Sequence, residues 1–166
     1  MGKRESMRVS ILGTNIVLND DPDLDGITLT IFFAGCPHNC FNCHNPEGRD
    51  IDNGTLIKIE ELKEKIRESS VLIKSLCFCG GEPLTQKEAL ICLSRFAKDY
   101  GLKTIMYTGY LFEDISDDIR NVIDVIIDGQ YIDDLRQNTF PASSNQRMFR
   151  NNKQADVNEL RINGGV

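Results

Sequence analysis

Ser75-Leu-Cys-Phe-Cys-Gly-Gly-Glu-Pro-Leu-Thr-Gln-Lys-Glu-Ala89 is the stretch that decides the fold. Its first five residues form an apolar run that stops at a glycine pair, as a strand does. Thr85 and Glu88 have capping-box spacing ahead of Ala89, Leu93, Phe96 and Ala97, and Gly101 supplies a stop, so a helix is expected directly after the turn. Strand, glycine turn and helix make one β/α unit, and the alternation extends both ways. Upstream, Val9 to Val17 and Thr28 to Phe33 read as strands. Ile59, Leu62 and Ile66 predict a helix over 57–70, with Glu61 and Lys65 spaced to pair on its outer face. Downstream, Lys103 to Thr108 and Val122 to Ile127 are β-branched apolar runs, separated by a polar segment, Phe112 to Arg120, with room for a short helix.

This order implies an α/β fold with a parallel sheet, flanking helices and right-handed crossovers. A full eight-unit barrel typically takes about 200 residues or more. The 166 residues therefore suit one domain, residues 1–166, built as an incomplete (β/α) barrel or open sheet. Gly35, Gly80, Gly109 and Gly129 end the expected strands along one edge, where ligands of such folds bind.

Composition narrows the function. Hydrophobic residues make up 40% and charged residues 27%, the balance of an ordinary globular protein, which excludes a disordered, collagenous or coiled-coil chain. A net charge of −6 leaves little attraction for phosphate backbones, so nucleic acid is not an expected partner. No apolar run is long enough to span a bilayer and the opening Met1 to Ser10 is polar, so a cytoplasmic protein without a membrane partner is expected. Residues 113–136 carry eight acids against two arginines, a run whose default is a solvated face.

Six cysteines without a secretion signal point to metal ligands or buried thiols rather than disulfides. Cys36, Cys40 and Cys43 fall within eight residues, Cys-Pro-His-Asn-Cys-Phe-Asn-Cys. Three thiolates this close repel unless a metal neutralises them. A zinc ion would want a fourth ligand, which His38 or His44 could supply, whereas an iron-sulfur cluster on three thiolates leaves one iron open. Gly80, Gly81, Glu82 and Pro83 follow about 40 residues later; they form a tight turn, or a site where bare backbone approaches a ligand and Glu82 accepts from an ammonium group. On the second view Glu82 sits at an exposed strand end and its truncation costs little stability.

Cys-x3-Cys-x2-Cys after a strand, followed by Gly-Gly-Glu-Pro, resembles the motifs of radical S-adenosylmethionine enzymes, whose open iron is chelated by the amino and carboxylate groups of the cofactor's methionine part. Gly35 to Glu47, Tyr107-Thr-Gly-Tyr110, Ile123 to Tyr131 and Ser143-Ser-Asn-Gln-Arg147 resemble, in order and spacing, the glycyl-radical activating proteins of anaerobic ribonucleoside-triphosphate reductases over residues 8 to 149. The resemblance implies an oxidoreductase. It cleaves S-adenosylmethionine at a 4Fe-4S cluster, with an electron from an external one-electron reductant, and takes a hydrogen atom from a glycine of the large reductase subunit. It implies Cys36, Cys40 and Cys43 as the cluster ligands and catalytic residues, and Gly80, Gly81 and Glu82 as cofactor contacts. Thr108 and Asp128, at strand ends, are expected to face the cofactor, as is His44 beside the cluster; His38 and His44 are expected to tune the cluster by hydrogen bonding. Asn42 stands where the superfamily usually has an aromatic residue, so its contact with adenine would come from its backbone. Arg49 follows Gly48 where the family often has Thr-Trp.

Cys92 falls on the apolar face of its helix as a buried small hydrophobe, and Cys77 and Cys79 read as packing residues, with Cys79 near the cofactor. Two other functions stay open: a small radical S-adenosylmethionine enzyme acting on a small molecule, and a metal-stabilised interaction module without catalysis.

Overall fold

The computed structural model describes residues 6–157, so the single domain expected over residues 1–166 runs past the described residues at both ends. One eight-stranded sheet runs through it in the order β3-β1-β2-β4-β5-β6-β7-β8. In chain order the elements are β1 (Arg8–Val17), β2 (Thr28–Phe33), β3 (Thr55–Lys58), α1 (Ile59–Ser69), β4 (Ser75–Gly80), α2 (Lys87–Asp99), β5 (Lys103–Tyr107), a one-turn α3 (Asp117–Arg120), β6 (Val125–Asp128), β7 (Arg147–Arg150) and β8 (Lys153–Ala155). The four central strands, β2, β4, β5 and β6, are parallel as expected. The flanking strands are antiparallel: β1 pairs β2 and β3, and β7 pairs β6 and β8. The expected parallel sheet is thus the centre of a mixed one. β7 and β8 were not foreseen, because their residues carry no strong alternation.

Alternation along each strand sends side chains to two different layers. Leu29, Ile31 and Phe33 of β2, Leu76 and Phe78 of β4, Met106 of β5 and Ile126 of β6 meet Leu62 and Ile66 of α1 and Leu90 and Leu93 of α2 in the larger core. The opposite face carries Cys77, Ile105, Val125 and Ile127, against which Tyr107 and Phe140 pack. It is covered by the β1–β2 loop and the chain after β6. The Tyr107 hydroxyl donates to the Asp20 carbonyl (3.1 Å), and Asp23 pairs with Lys103 and Arg150. Both faces are buried, so the central strands are covered almost continuously, with Thr28, Thr30, Ser75 and Thr104 as buried polar residues among the apolar ones.

Several local expectations change. Helix α1 begins at Ile59, because Ile57 and Lys58 pair with β1 instead. Glu61 does not pair with Lys65. Its carboxylate accepts from the Lys58 backbone N–H (3.3 Å), and Lys65 donates to Thr14. The Thr85–Glu88 capping box does not form: Pro83–Gln86 is a 3-10 turn that runs into α2, and the Thr85 hydroxyl donates to the Glu82 carbonyl (2.7 Å). Val122 and Ile123 precede β6 rather than belong to it, since the Asp124 carboxylate accepts from the Thr104 N–H (2.8 Å) and ends the turn there. Among the described residues no helix is long and apolar enough to cross a membrane.

Candidate functional site

Beyond β2 the chain leaves the sheet as a loop whose base is pinned by backbone hydrogen bonds, Gly35 N–H to Gly48 O (2.8 Å) and Cys36 N–H to Arg49 O (3.0 Å). The loop between carries Cys36, Cys40 and Cys43, all half-buried and all lining one cavity of about 390 Å³. Arg49 donates from Nη2 to the Cys40 carbonyl (2.6 Å). Asn42, at φ +53°, donates to the Asp133 carboxylate (3.0 Å), and the His44 ring lies 4.9 Å from that of Tyr131. The loop is therefore held at base and tip by backbone and polar side chains, and the Cys40 thiol adds a long contact to Gln130 Oε1 (3.9 Å). Burial pushes the Cys36 thiol up; the backbone at His38 opposes this, and the neighbouring Glu82, Cys40 and Cys43 add to the rise.

Among the described residues no three His, Cys, Asp or Glu side chains converge on a single metal ion. His38 lines the same cavity, but its Nε2 lies 3.2 Å from Glu82 Oε2 and its ring 4.8 Å from that of Tyr110. His44 packs against Tyr131, the two rings tilted by 44°. Three thiols around one cavity, with both histidines engaged elsewhere, fit a cluster on three cysteines better than a closed Cys3His zinc site.

The opposite wall is the glycine turn after β4. Gly80 has φ +103°, and a Cβ there would stand 2.6 Å from the Phe33 backbone; one on Gly81 would stand 2.5 Å from the carbonyl oxygens of Gly35 and Gly48. Only glycine lets the two loops cross at this distance. Glu82 follows, and it is not at an exposed strand end as expected. It is 1% exposed. Oε1 accepts from Leu84 N–H (3.1 Å) and the Thr108 hydroxyl (2.9 Å), and Oε2 accepts from Gly109 N–H (2.8 Å) and faces His38. One carboxylate joins the ends of β4 and β5 to the cysteine loop. Thr108 does line the cavity, and its hydroxyl donates to Glu82 and accepts from Tyr110 N–H (3.1 Å).

Two expected contacts are not in the cavity wall. Asp128 is fully buried and accepts from Phe112 N–H (2.7 Å) and from Arg147 N–H (3.2 Å) and Nε–H (3.1 Å). Its oxygens anchor the end of β6 instead of a ligand. Asn42, whose contact was expected from its backbone, is not in the cavity wall either, and its side chain is bonded to Asp133. Of the remaining expected contacts, His44, Gly80, Gly81 and Glu82 do line it, together with Cys79.

Other residues at the site carried no pattern. Gln86 is one: its amide donates to the carbonyls of Ser10 (2.8 Å) and Ala34 (2.9 Å) and accepts from Ser10 N–H (2.8 Å), splicing β1 to the turn. Asn145 donates to the Gln130 carbonyl (2.8 Å) and Gln146 to the Gly129 carbonyl (3.1 Å), so the Ser143-to-Arg147 segment holds the loop after β6. Its presence as a motif was the one signal. Cys92, expected to be buried, is half-buried.

A family profile described as a 4Fe-4S single cluster domain matches residues 24–149. The chain is 33% identical over 133 residues to the anaerobic ribonucleoside-triphosphate reductase-activating protein of Enterobacteria phage T4, covering 76% of this chain and 85% of that protein. It is 32% identical over 117 residues to the pyruvate formate-lyase-activating enzyme of Clostridium pasteurianum, covering 68% of this chain but only 49% of that enzyme. The crystal structure of QueE from Escherichia coli superimposes with a TM-score of 0.53 at 17% identity, over 62% of this chain and 53% of that one, a likeness of fold. The match runs from before the cysteine loop to the end of the segment that braces the strand ends, so every residue that lines the cavity except Asp20 lies inside it, and the chain belongs to the 4Fe-4S single cluster domain family, among the glycyl-radical activating proteins.

Proposed function

We propose that the chain activates an anaerobic ribonucleoside-triphosphate reductase, using one 4Fe-4S cluster and S-adenosylmethionine to generate the reductase's glycyl radical. The observation that carries this reading is the meeting of Cys36, Cys40 and Cys43 with Gly80, Gly81 and Glu82 around one cavity at the carboxyl ends of parallel strands. The phage relative, whose name states this activity, supports it. When bound, the cluster and cofactor supply one-electron cleavage of the sulfonium and hydrogen-atom abstraction from the partner's glycine.

The protein supplies position. Cys36, Cys40 and Cys43 hold the cluster, and Arg49 and Asp133 keep their loop in place. Bare backbone at Gly80 and Gly81 admits a ligand closely, with His44 and Thr108 as further cofactor contacts. Glu82 would accept from the cofactor's ammonium, while its hydrogen bonds make it the frame of the site. Asn42 and Asp128 are positioning residues, one fixing the loop tip and the other the end of β6. Phe32, Tyr107 and Phe140 give the cavity apolar walls that keep water from the reacting atoms. The electron comes from an external one-electron donor.

Anaerobic reconstitution tests the cofactor assignment. A brown protein with about four irons and four sulfides per chain, releasing methionine and 5′-deoxyadenosine when reduced with S-adenosylmethionine, is expected. A colourless zinc protein, or a cluster protein that never cleaves the cofactor, would contradict the reading.

A further inference from the structure

Arg49 is the only lysine or arginine among the described residues that line the cavity, which also holds the carboxylates of Asp20 and Glu82. Glu82 is enclosed by its own donors, and Asp20 accepts from Thr30. Arg49 has no such closure. Its Nη2 donates to the Cys40 carbonyl (2.6 Å), its Nε is buried without a hydrogen-bond partner, and no carboxylate among the described residues pairs with it. A guanidinium has five donors in a planar fork suited to a carboxylate, and a half-buried cation without a counter-charge is costly unless an anion arrives. The cavity thus offers negative charge at one wall and one unpaired positive charge on the cysteine loop.

Resting on the function proposed above, we infer that Arg49 binds the carboxylate of the cofactor's methionine part, opposite the Glu82 wall that favours its cationic groups. The guanidinium strapped to Cys40 O keeps that charge at the edge of the cluster loop. Arg49 is then a specificity residue: it separates S-adenosylmethionine from ligands that share its adenosine and sulfonium and lack the carboxylate. No bond is made or broken at Arg49 in this role.

The test is equilibrium binding to the anaerobically reconstituted protein, with S-adenosylmethionine and its decarboxylated analogue as the two probes. The readout is the ratio of their affinities. Arg49→Gln and Arg49→Met are two neutral variants, so loss of the cluster in one leaves the other, with iron content measured in both. The expected result is a fall in the ratio of roughly tenfold to a hundredfold, the span of one charge-assisted hydrogen bond, with the analogue bound within about twofold of the parent protein. Arg49→Lys, which keeps the charge, is expected to retain most of the ratio. Equal weakening of both probes would mean that Arg49 acts only as a strap on Cys40, and an unchanged affinity for both would leave it no role; either overturns the inference alone. A parent protein that carries its cluster and binds no S-adenosylmethionine overturns the proposed function, and this inference with it.

Discussion

Glu82 accepts from Leu84, Thr108 and Gly109 and faces His38, so its truncation strands several buried donors at once. Glu82→Ala is expected to cost about 2–4 kcal/mol, because buried donors left unmade cost more than a bond contributes. Urea denaturation of the metal-free protein measures this, and Glu82→Gln, which keeps an acceptor, is expected to lose less. A cost under about 0.5 kcal/mol would return Glu82 to the role of a mere turn residue. Cysteines divide the same way. Removing Cys36, Cys40 or Cys43 is expected to abolish the intact cluster, since three ligands leave none spare. Cys92→Ala, on half-buried helix surface, is expected to keep full iron content and lose about 1 kcal/mol. Iron and sulfide analysis of the four variants decides it, and loss of iron only in Cys92→Ala would reverse the assignment.

At the scale of elements, the strand ends are held by ion pairs that reach across the sheet. Arg147 spans Asp128 at the end of β6 and Glu113 after β5, and these bonds raise its already high pKa further. Arg147→Met leaves Asp128 buried without its counter-ion, an expected loss of about 3 kcal/mol in the unfolding free energy measured by urea denaturation. A loss as small as that of an exposed pair would show that backbone donors alone satisfy Asp128. Asp23 ties the β1–β2 loop to β5 and β7. Burial alone would raise its pKa, but the bonds and charges of Arg150 and Lys103 outweigh burial and hold it below the usual 3.8. A carboxylate with a lowered folded pKa contributes stability that is complete above the unfolded value and lost as pH falls through the folded one. The stability difference between Asp23→Asn and the parent protein is therefore expected to be larger at pH 6 than at pH 3; equal differences would mean that the pair does not hold the loop.

Across the whole molecule, the central β/α units were legible because each strand is a short, mostly apolar run with a glycine close to its end and each helix repeats apolar residues at 3.6. The outer strands were not: β7, Arg147–Arg150, is only four residues long and becomes a strand by pairing with β6. At the site, the cysteine spacing and the glycine pair marked both walls, since metal ligation and close backbone approach each demand one residue type. Glu82, Gln86 and Asp128 were misplaced or missed for the opposite reason. A polar side chain that satisfies distant backbone has no local pattern, and Gln86 and Ser10 are 76 residues apart. These placements converge on one claim, that the cavity serves radical transfer to a glycine of a partner protein. Electron paramagnetic resonance of the reduced, cluster-loaded chain mixed anaerobically with S-adenosylmethionine and an anaerobic ribonucleoside-triphosphate reductase measures it directly. The expected result is a doublet centred on a reductase glycine that collapses when the glycine α-hydrogen is replaced by deuterium and is missing with Cys40→Ala. Cofactor cleavage at full rate with no protein radical on the reductase would contradict the claim.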